Sequence, residues 1–381
     1  MNRPGMSIDR VRIAVALLSL ALFVQTSFWL LYDVAVRGLP GAWSLWTTGS
    51  APGLSATSSL DLGLAALQLC AGLATLFRTR GAGGLLMTSC TVTFAFRLPA
   101  VWYLLLDSPS DPWFGTLEGA SLSVVGGTAV LAVVLSLVLG GLLLLARHME
   151  HEAAAEAAAA NTVTGGVRPV KVTAAASGLL LAVLNVFYIG RNTVTAVQVG
   201  PAALTDLIVG KGSGEAVLAV PSPYQWVSLT VLCGVGMLLA ARRRPTAHGF
   251  SVGLSLFMMP PGFTDLWGYA VGTAPATAVD ISQTLLEFVG SAAVVALIVG
   301  DVRRDRRPDD ADLDVLAPVA PPAAAMGPSA PATPDQDDDA DGAGATGQAR
   351  EAVEAAVPAA RAAGAAGAAG GDRPAPEAPG A

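Results

Sequence analysis

The sequence predicts an all-α fold: a polytopic integral membrane bundle of eight transmembrane helices, arranged as two parallel four-helix repeats, with a disordered C-terminal tail. Three observations carry this. Only 13% of the 381 residues are charged and the mean hydropathy is +0.57, too apolar for an ordinary soluble protein. Apolar runs of about 17–28 residues recur along the chain, each long enough for roughly 30 Å of hydrocarbon at about 1.5 Å per residue. Between them, Lys and Arg collect in alternate connections.

The runs follow in order. Val11–Val34 is preceded by a basic flank but exceeds a signal-peptide core and lacks a small-residue cleavage site, so it reads as a retained span. Residues 35–58 read as a Gly/Pro/Ser/Thr loop carrying Trp43 and Trp46. Ser59–Phe77 is the second span, and Arg78-Thr79-Arg80 a tight basic turn. Gly83–Leu106 is the third, containing Arg97 and Pro99, and Gly119–Ala146 the fourth. The alanine-rich stretch after Arg147 extends that helix into water. Thr173–Gly190 is the fifth span, 191–222 a second long loop, and Tyr224–Ala241 the sixth span. After the basic turn Arg242-Arg243-Arg244 come Phe250–Gly272, interrupted by Pro260-Pro261-Gly262, and Ile281–Gly300. From about Asp309 the chain is Ala, Pro, Gly and Asp with almost no large apolar side chains, which predicts disorder. The units are therefore 1–146, a cytoplasmic linker 147–172, 173–308 and a cytoplasmic tail 309–381.

Charge orients the bundle. With the N-terminus inside, fifteen Lys and Arg fall on the inner side and three, Arg37, Arg191 and Lys211, outside. Both termini are then cytoplasmic and the protein sits in the cell membrane. The two halves share their order of elements, and Cys70/Cys233, Arg80/Arg244, Trp102/Trp267 and Val125-Gly126/Val289-Gly290 recur at offsets of 163–165 residues. Four spans per unit is an even number, so the repeats are parallel. The alanine- and arginine-rich composition is of the kind that GC-rich bacterial genomes encode.

Several function classes find no support. The cysteines Cys70, Cys90 and Cys233 all lie in apolar segments, which fits inert buried thiols and not a disulfide framework. No basic patch interleaved with aromatics points to nucleic acid. No G-x-S-x-G, H-E-x-x-H or phosphate-loop pattern occurs, so no enzyme is read. No histidine falls in a span, which leaves no bis-histidine haem site. His148 and His151 with Glu152 read as a solvated helix face and not a metal site. No cofactor is expected.

What remains is a set of polar groups at one depth. Arg97 lies 14 residues beyond Gly83, Asp265 16 beyond Gly249, and Glu287 16 before Arg303, all about 21–24 Å up their helices. Gln25 and Asn185 fall at similar height, and Gln283 shares the face of Glu287 at i, i−4 spacing. Charges at such depth are costly and need a partner or a wet site. The helix breaks at Pro99 and at Pro260, Pro261 and Gly262 free backbone groups there. The sequence thus predicts Arg97 beside Asp265 or Glu287, in an outward-facing polar site at the repeat interface. The partners implied are the lipid bilayer and a small polar, anionic, zwitterionic or proton-coupled solute. The alternative is a non-transporting scaffold, sensor or assembly partner acting through outer loops and tail. Trp102, Tyr103, Trp267 and Tyr269 read as an interfacial aromatic belt.

Overall fold

The computed structural model describes residues 8–49, 56–79, 81–106, 120–159, 171–209, 216–274 and 276–304. All belong to one compact unit, Met1–Leu316. The tail, and with it the expectation of disorder there, lies outside the described residues. Among the described residues every regular element is helical: α1 (Ile8–Thr48), α2 (Ser59–Leu76), α3 (Ala82–Leu106), α4 (Ala120–Ala159), α5 (Lys171–Val199), α6 (Pro201–Ile208), α7 (Ser222–Ala241), α8 (Thr246–Ala270), α9 (Ala278–Leu285) and α10 (Ser291–Arg304). A π-helical turn, Leu286–Gly290, joins α9 to α10.

Among the described residues seven helices are long and apolar enough to cross a membrane: Asp9–Thr48, Ser59–Leu76, Ala82–Trp102, Val124–Met149, Ala175–Val199, Ser222–Ala241 and Ala278–Gly300. This fits an integral, multi-pass membrane protein. Of the eight expected spans the one absent from that set is α8, whose Gly249, Ser251, Gly253, Ser255, Pro260, Pro261 and Gly262 dilute its apolar residues. Its place explains why it need not be more apolar. It packs against α1, α2, α3, α7 and α10 at once, so protein covers what lipid would otherwise touch. Phe250, Leu254, Phe257 and Met258 on α8 are all at most 2% exposed and form the middle of the core with Leu64, Leu67, Leu181, Leu184 and Leu229.

Small residues bring α8 within backbone distance of its neighbours. A Cβ on Gly63 of α2 would lie 2.0 Å from the Phe257 carbonyl oxygen, and one on Gly249 would lie 1.9 Å from that of Gly81. Gly84 and Gly249 face each other in the same way. Pro261 lacks the N–H that would bond the Phe257 carbonyl in a regular helix. That oxygen therefore turns toward Gly63, where only hydrogen stands on the Cα.

Neither proline site breaks its helix. α3 runs through Pro99 and α8 through Pro260-Pro261. The expected interruptions are thus bonds lost within continuous helices, held in shape by packing on both sides. The loops are also shorter than expected. α1 continues to Thr48 across a kink at Gly38 (φ 70°, ψ 163°), with Pro40 just beyond. In the second half α5 continues to Val199, and Gly200 (φ 83°, ψ 162°) and Pro201 lead into α6. Hydropathy stops at the edge of the apolar run, whereas helix does not.

The two basic turns are built alike. In each, an arginine adopts the left-handed conformation, Arg78 at φ 53° and Arg243 at φ 48°. After α2, Arg78 N–H donates to Thr75 O and Thr79 N–H to Ala74 O; after α7, Arg243 N–H donates to Ala240 O and Arg244 N–H to Leu239 O. Both are Schellman caps, and every corresponding atom is 165 residues apart.

Candidate functional site

The buried polar groups form two centres. The first belongs to α1–α4. Asp61 stands at the third position of α2, where its Oδ2 accepts from the Ser58 N–H and hydroxyl in a capping box. Its other oxygen, Oδ1, accepts from Arg97 Nη2 of α3, and both side chains are at most 5% exposed. Around this pair Gln68 accepts from Thr26 and donates to Thr93, each at 3.0 Å. Gln25 Nε2 donates to Thr128 O, and Trp29 Nε1 donates to Thr128 Oγ1 at 2.9 Å. Asp33 holds the connection to α2 by accepting from the Ala56 and Thr57 N–H groups and the Thr57 hydroxyl.

A segment from the second half closes this centre. Ala216–Val220 is buried, Leu218 N–H donates to Ala56 O at 3.0 Å, and Leu218 stands over Arg97, Gln25 and Trp29. Arg97 is therefore a neutralised and covered cation. The pairing predicted from the sequence, Arg97 with Asp265 or Glu287, is replaced by one within the first half. Height alone cannot choose between acids on different helices, and Asp61 sits nearer in the fold.

The second centre lies on α5, α7, α8 and the α9–α10 helix. Glu287 is 6% exposed and occupies the π-turn. Its Oε1 accepts from Tyr188 Oη and Gln283 Nε2, both at 2.9 Å. Tyr188 is fully buried and touches the Met258 sulfur at 3.5 Å. Gly262 packs its bare Cα on Phe288 of the same turn, which brings the Pro260-Pro261-Gly262 stretch beside the turn that holds Glu287. Asp265, one turn beyond Pro261, is half-buried and within electrostatic range of Glu287. It makes no hydrogen bond or ion pair among the described residues. The Asn185 Oδ1 and Ser291 Oγ atoms are likewise buried without a partner.

One cation adjoins this centre. Arg191 belongs to α5 and not to a loop; its Nη1 lies 2.5 Å from Asp280 Oδ1 and its guanidinium 4.8 Å over the Trp226 ring. Asp280 is the third residue of α9, capped with Thr277 just as Asp61 is with Ser58. Both arginine-binding aspartates were marked in the sequence by S/T-x-x-D before an apolar run, Ser58 to Asp61 and Thr277 to Asp280. Nothing in the sequence singles out Tyr188 except its place three residues after Asn185. Beyond Asp265, Trp43 from the segment after the Gly38 kink packs on Phe263 and Trp267, with centroids 6.2 and 6.3 Å away. Trp102 and Trp267 are 36% and 46% exposed.

No protein-family model matches the chain, and no curated protein or solved structure is similar to it.

In the first centre the buried cation is matched by Asp61, while the Gln25 Oε1 atom is buried without a partner among the described residues. In the second, one buried carboxylate is held by neutral hydrogen-bond donors, and a half-buried one has no hydrogen bond or ion pair among the described residues. A π-turn at such a place is a recurrent feature of functional sites, because it turns a side chain off the regular helical face.

Proposed function

We propose that this chain is a transporter-like membrane protein whose solute site is the acidic centre around Glu287 and Asp265, with Tyr188, Gln283 and Asn185. The observation that carries the proposal is the state of the two carboxylates: Glu287 is buried with neutral hydrogen-bond donors, and Asp265, half-buried near it, has no hydrogen bond or ion pair among the described residues. Carboxylates at this depth are costly in lipid and are found where ions or protons pass. Arg97 and Gln25 belong to the structural centre. With Arg97 committed to Asp61 and Arg191 to Asp280, the remaining charge is negative. The site therefore suits a proton, a small cation or the amine of a zwitterion, and no longer an anion.

The proposal includes eight spans in two parallel repeats, with α8 as the span that protein shields. It is supported by the matched Schellman turns, by Gly84 facing Gly249 at the same offset of 165, and by the paired Gly–Pro kinks that begin at Gly38 and Gly200. The proposal puts both termini in the cytoplasm, on the side of the basic turns, in keeping with the excess of Lys and Arg there. A second reading, a scaffold or assembly partner, is favoured by α6, none of whose residues is buried.

Thermal melting of the detergent-purified protein separates the two. Protonated amines, amino acids and inorganic cations are added singly. A true solute at about a hundred times its Kd raises stability by about 2.7 kcal/mol, and Glu287→Gln abolishes the shift. If no solute acts, and a second membrane protein co-purifies until the α6 sequence is replaced by a Gly/Ser linker, the scaffold reading holds instead.

A further inference from the structure

A groove of about 510 Å³ runs between α3 and α4, away from both polar centres. Its floor forms where Gly140 and Gly141 of α4 carry no side chain, and its walls are apolar, Phe94, Leu137 and Leu144 among them. Leu137 and Leu144 are 57% and 69% exposed, so the groove opens toward whatever surrounds the bundle. A helix face in a membrane protein is surrounded by lipid. The groove follows α4 from Leu137 to Arg147, ten residues or about 15 Å. That is half of a hydrocarbon layer of about 30 Å, the depth of one leaflet.

Its ends differ in chemistry. At one end Arg147 and Met87 meet, beside the basic turn where α3 begins; at the other Ser136 and Phe94 lie toward the middle of the bundle. Arg147 is half-buried, and its only hydrogen bond among the described residues goes to the Met87 sulfur at 3.7 Å. A thioether is a weak acceptor and carries no charge to set against the guanidinium. An apolar channel one leaflet deep, ending at a guanidinium, matches the two ends of an anionic phospholipid. Guanidinium binds phosphate oxygens in pairs, where an ammonium acts only as a point charge.

We infer that the α3–α4 groove is a binding site for one acyl chain of an anionic phospholipid, whose phosphate is held by Arg147. A neutral lipid can fill the channel, but its zwitterionic headgroup leaves the net charge of Arg147 unmatched. The site is independent of the acidic centre and of what that centre carries.

Native mass spectrometry of the intact protein tests this, with phosphatidylglycerol and phosphatidylcholine of identical chains offered in equal amounts. The wild type should retain phosphatidylglycerol with a preference of about fivefold, the worth of one basic residue beside anionic lipid. Arg147→Gln should remove the preference while lipid still binds. Gly141→Leu, placed where a Cβ meets nothing within 4 Å, should fill the channel and reduce retention of both lipids. Soluble glycerophosphoglycerol, which has the phosphate and no chains, should not compete. Equal retention of the two lipids by the wild type, or an undiminished preference in Arg147→Gln, would overturn the inference. So would full retention in a folded Gly141→Leu.

Discussion

Single residues separate the two polar centres. Arg97 and Asp61 are buried and mutually satisfied, so removing one leaves the other charge unmatched. Arg97→Ala should cost about 3–5 kcal/mol, read as a fall in melting temperature. Arg97→Leu with Asp61→Asn should recover much of that, because asparagine keeps an oxygen for the Ser58 N–H. At Glu287 the amide is the informative change. Glu287→Gln preserves an acceptor for Tyr188 and Gln283 and should melt close to the wild type. Glu287→Leu orphans both donors and should lose about 1–3 kcal/mol. A glutamine variant as unstable as the leucine variant would show that the carboxylate charge itself holds the fold. Reading depth from sequence singled out Arg97, Asp265 and Glu287 as charged groups inside the bundle. It could not pair them, since height leaves open which helices are neighbours. The Ser58–Asp61 capping box was the missing clue: it puts an acid at the start of α2, opposite the far end of α3.

At the scale of elements, α8 shows how packing substitutes for hydropathy. Its position among α1, α2, α3, α7 and α10 lets it carry glycines, serines and two prolines. Adjacent glycines of α3 give a sharp test. Gly84→Ala would place a Cβ 2.4 Å from the Thr246 carbonyl oxygen, whereas Gly83→Ala meets nothing within 4 Å. The first should cost about 1–3 kcal/mol by overpacking. The second should be neutral or slightly stabilising in thermal melts, since alanine is the better helix former. Equal behaviour of the two would mean that α3 and α8 do not approach at backbone distance. The seven apolar spans found among the described residues were legible because hydrophobic length marks a span. The segments after Gly38 and Gly200 were not, because helix outside the apolar run has the composition of a loop. The Arg78 and Arg243 caps were visible as basic turns but not as left-handed ones, since arginine is an unusual choice there.

For the whole molecule the open matter is how the bundle faces the membrane and where water enters it. Replacing Cys70, Cys90 and Cys233 with alanine gives a background for single reporters. Asp206→Cys on α6 should react with an impermeant thiol reagent on intact cells, and Thr79→Cys at the basic turn should react only after the cells are opened. The reverse pattern would invert the proposed orientation. The same chemistry reaches the central claim, that the acidic centre is an open, wet site and the Arg97–Asp61 centre a closed one. The decisive measurement is the reaction of Asp265→Cys in reconstituted vesicles with a charged methanethiosulfonate, beside Thr93→Cys as the buried comparison. The account requires Asp265→Cys to be modified from the side that labels Asp206→Cys, with Thr93→Cys untouched. An inert Asp265→Cys, under conditions where Asp206→Cys is fully modified, would place that side chain in lipid or dry protein and contradict the site.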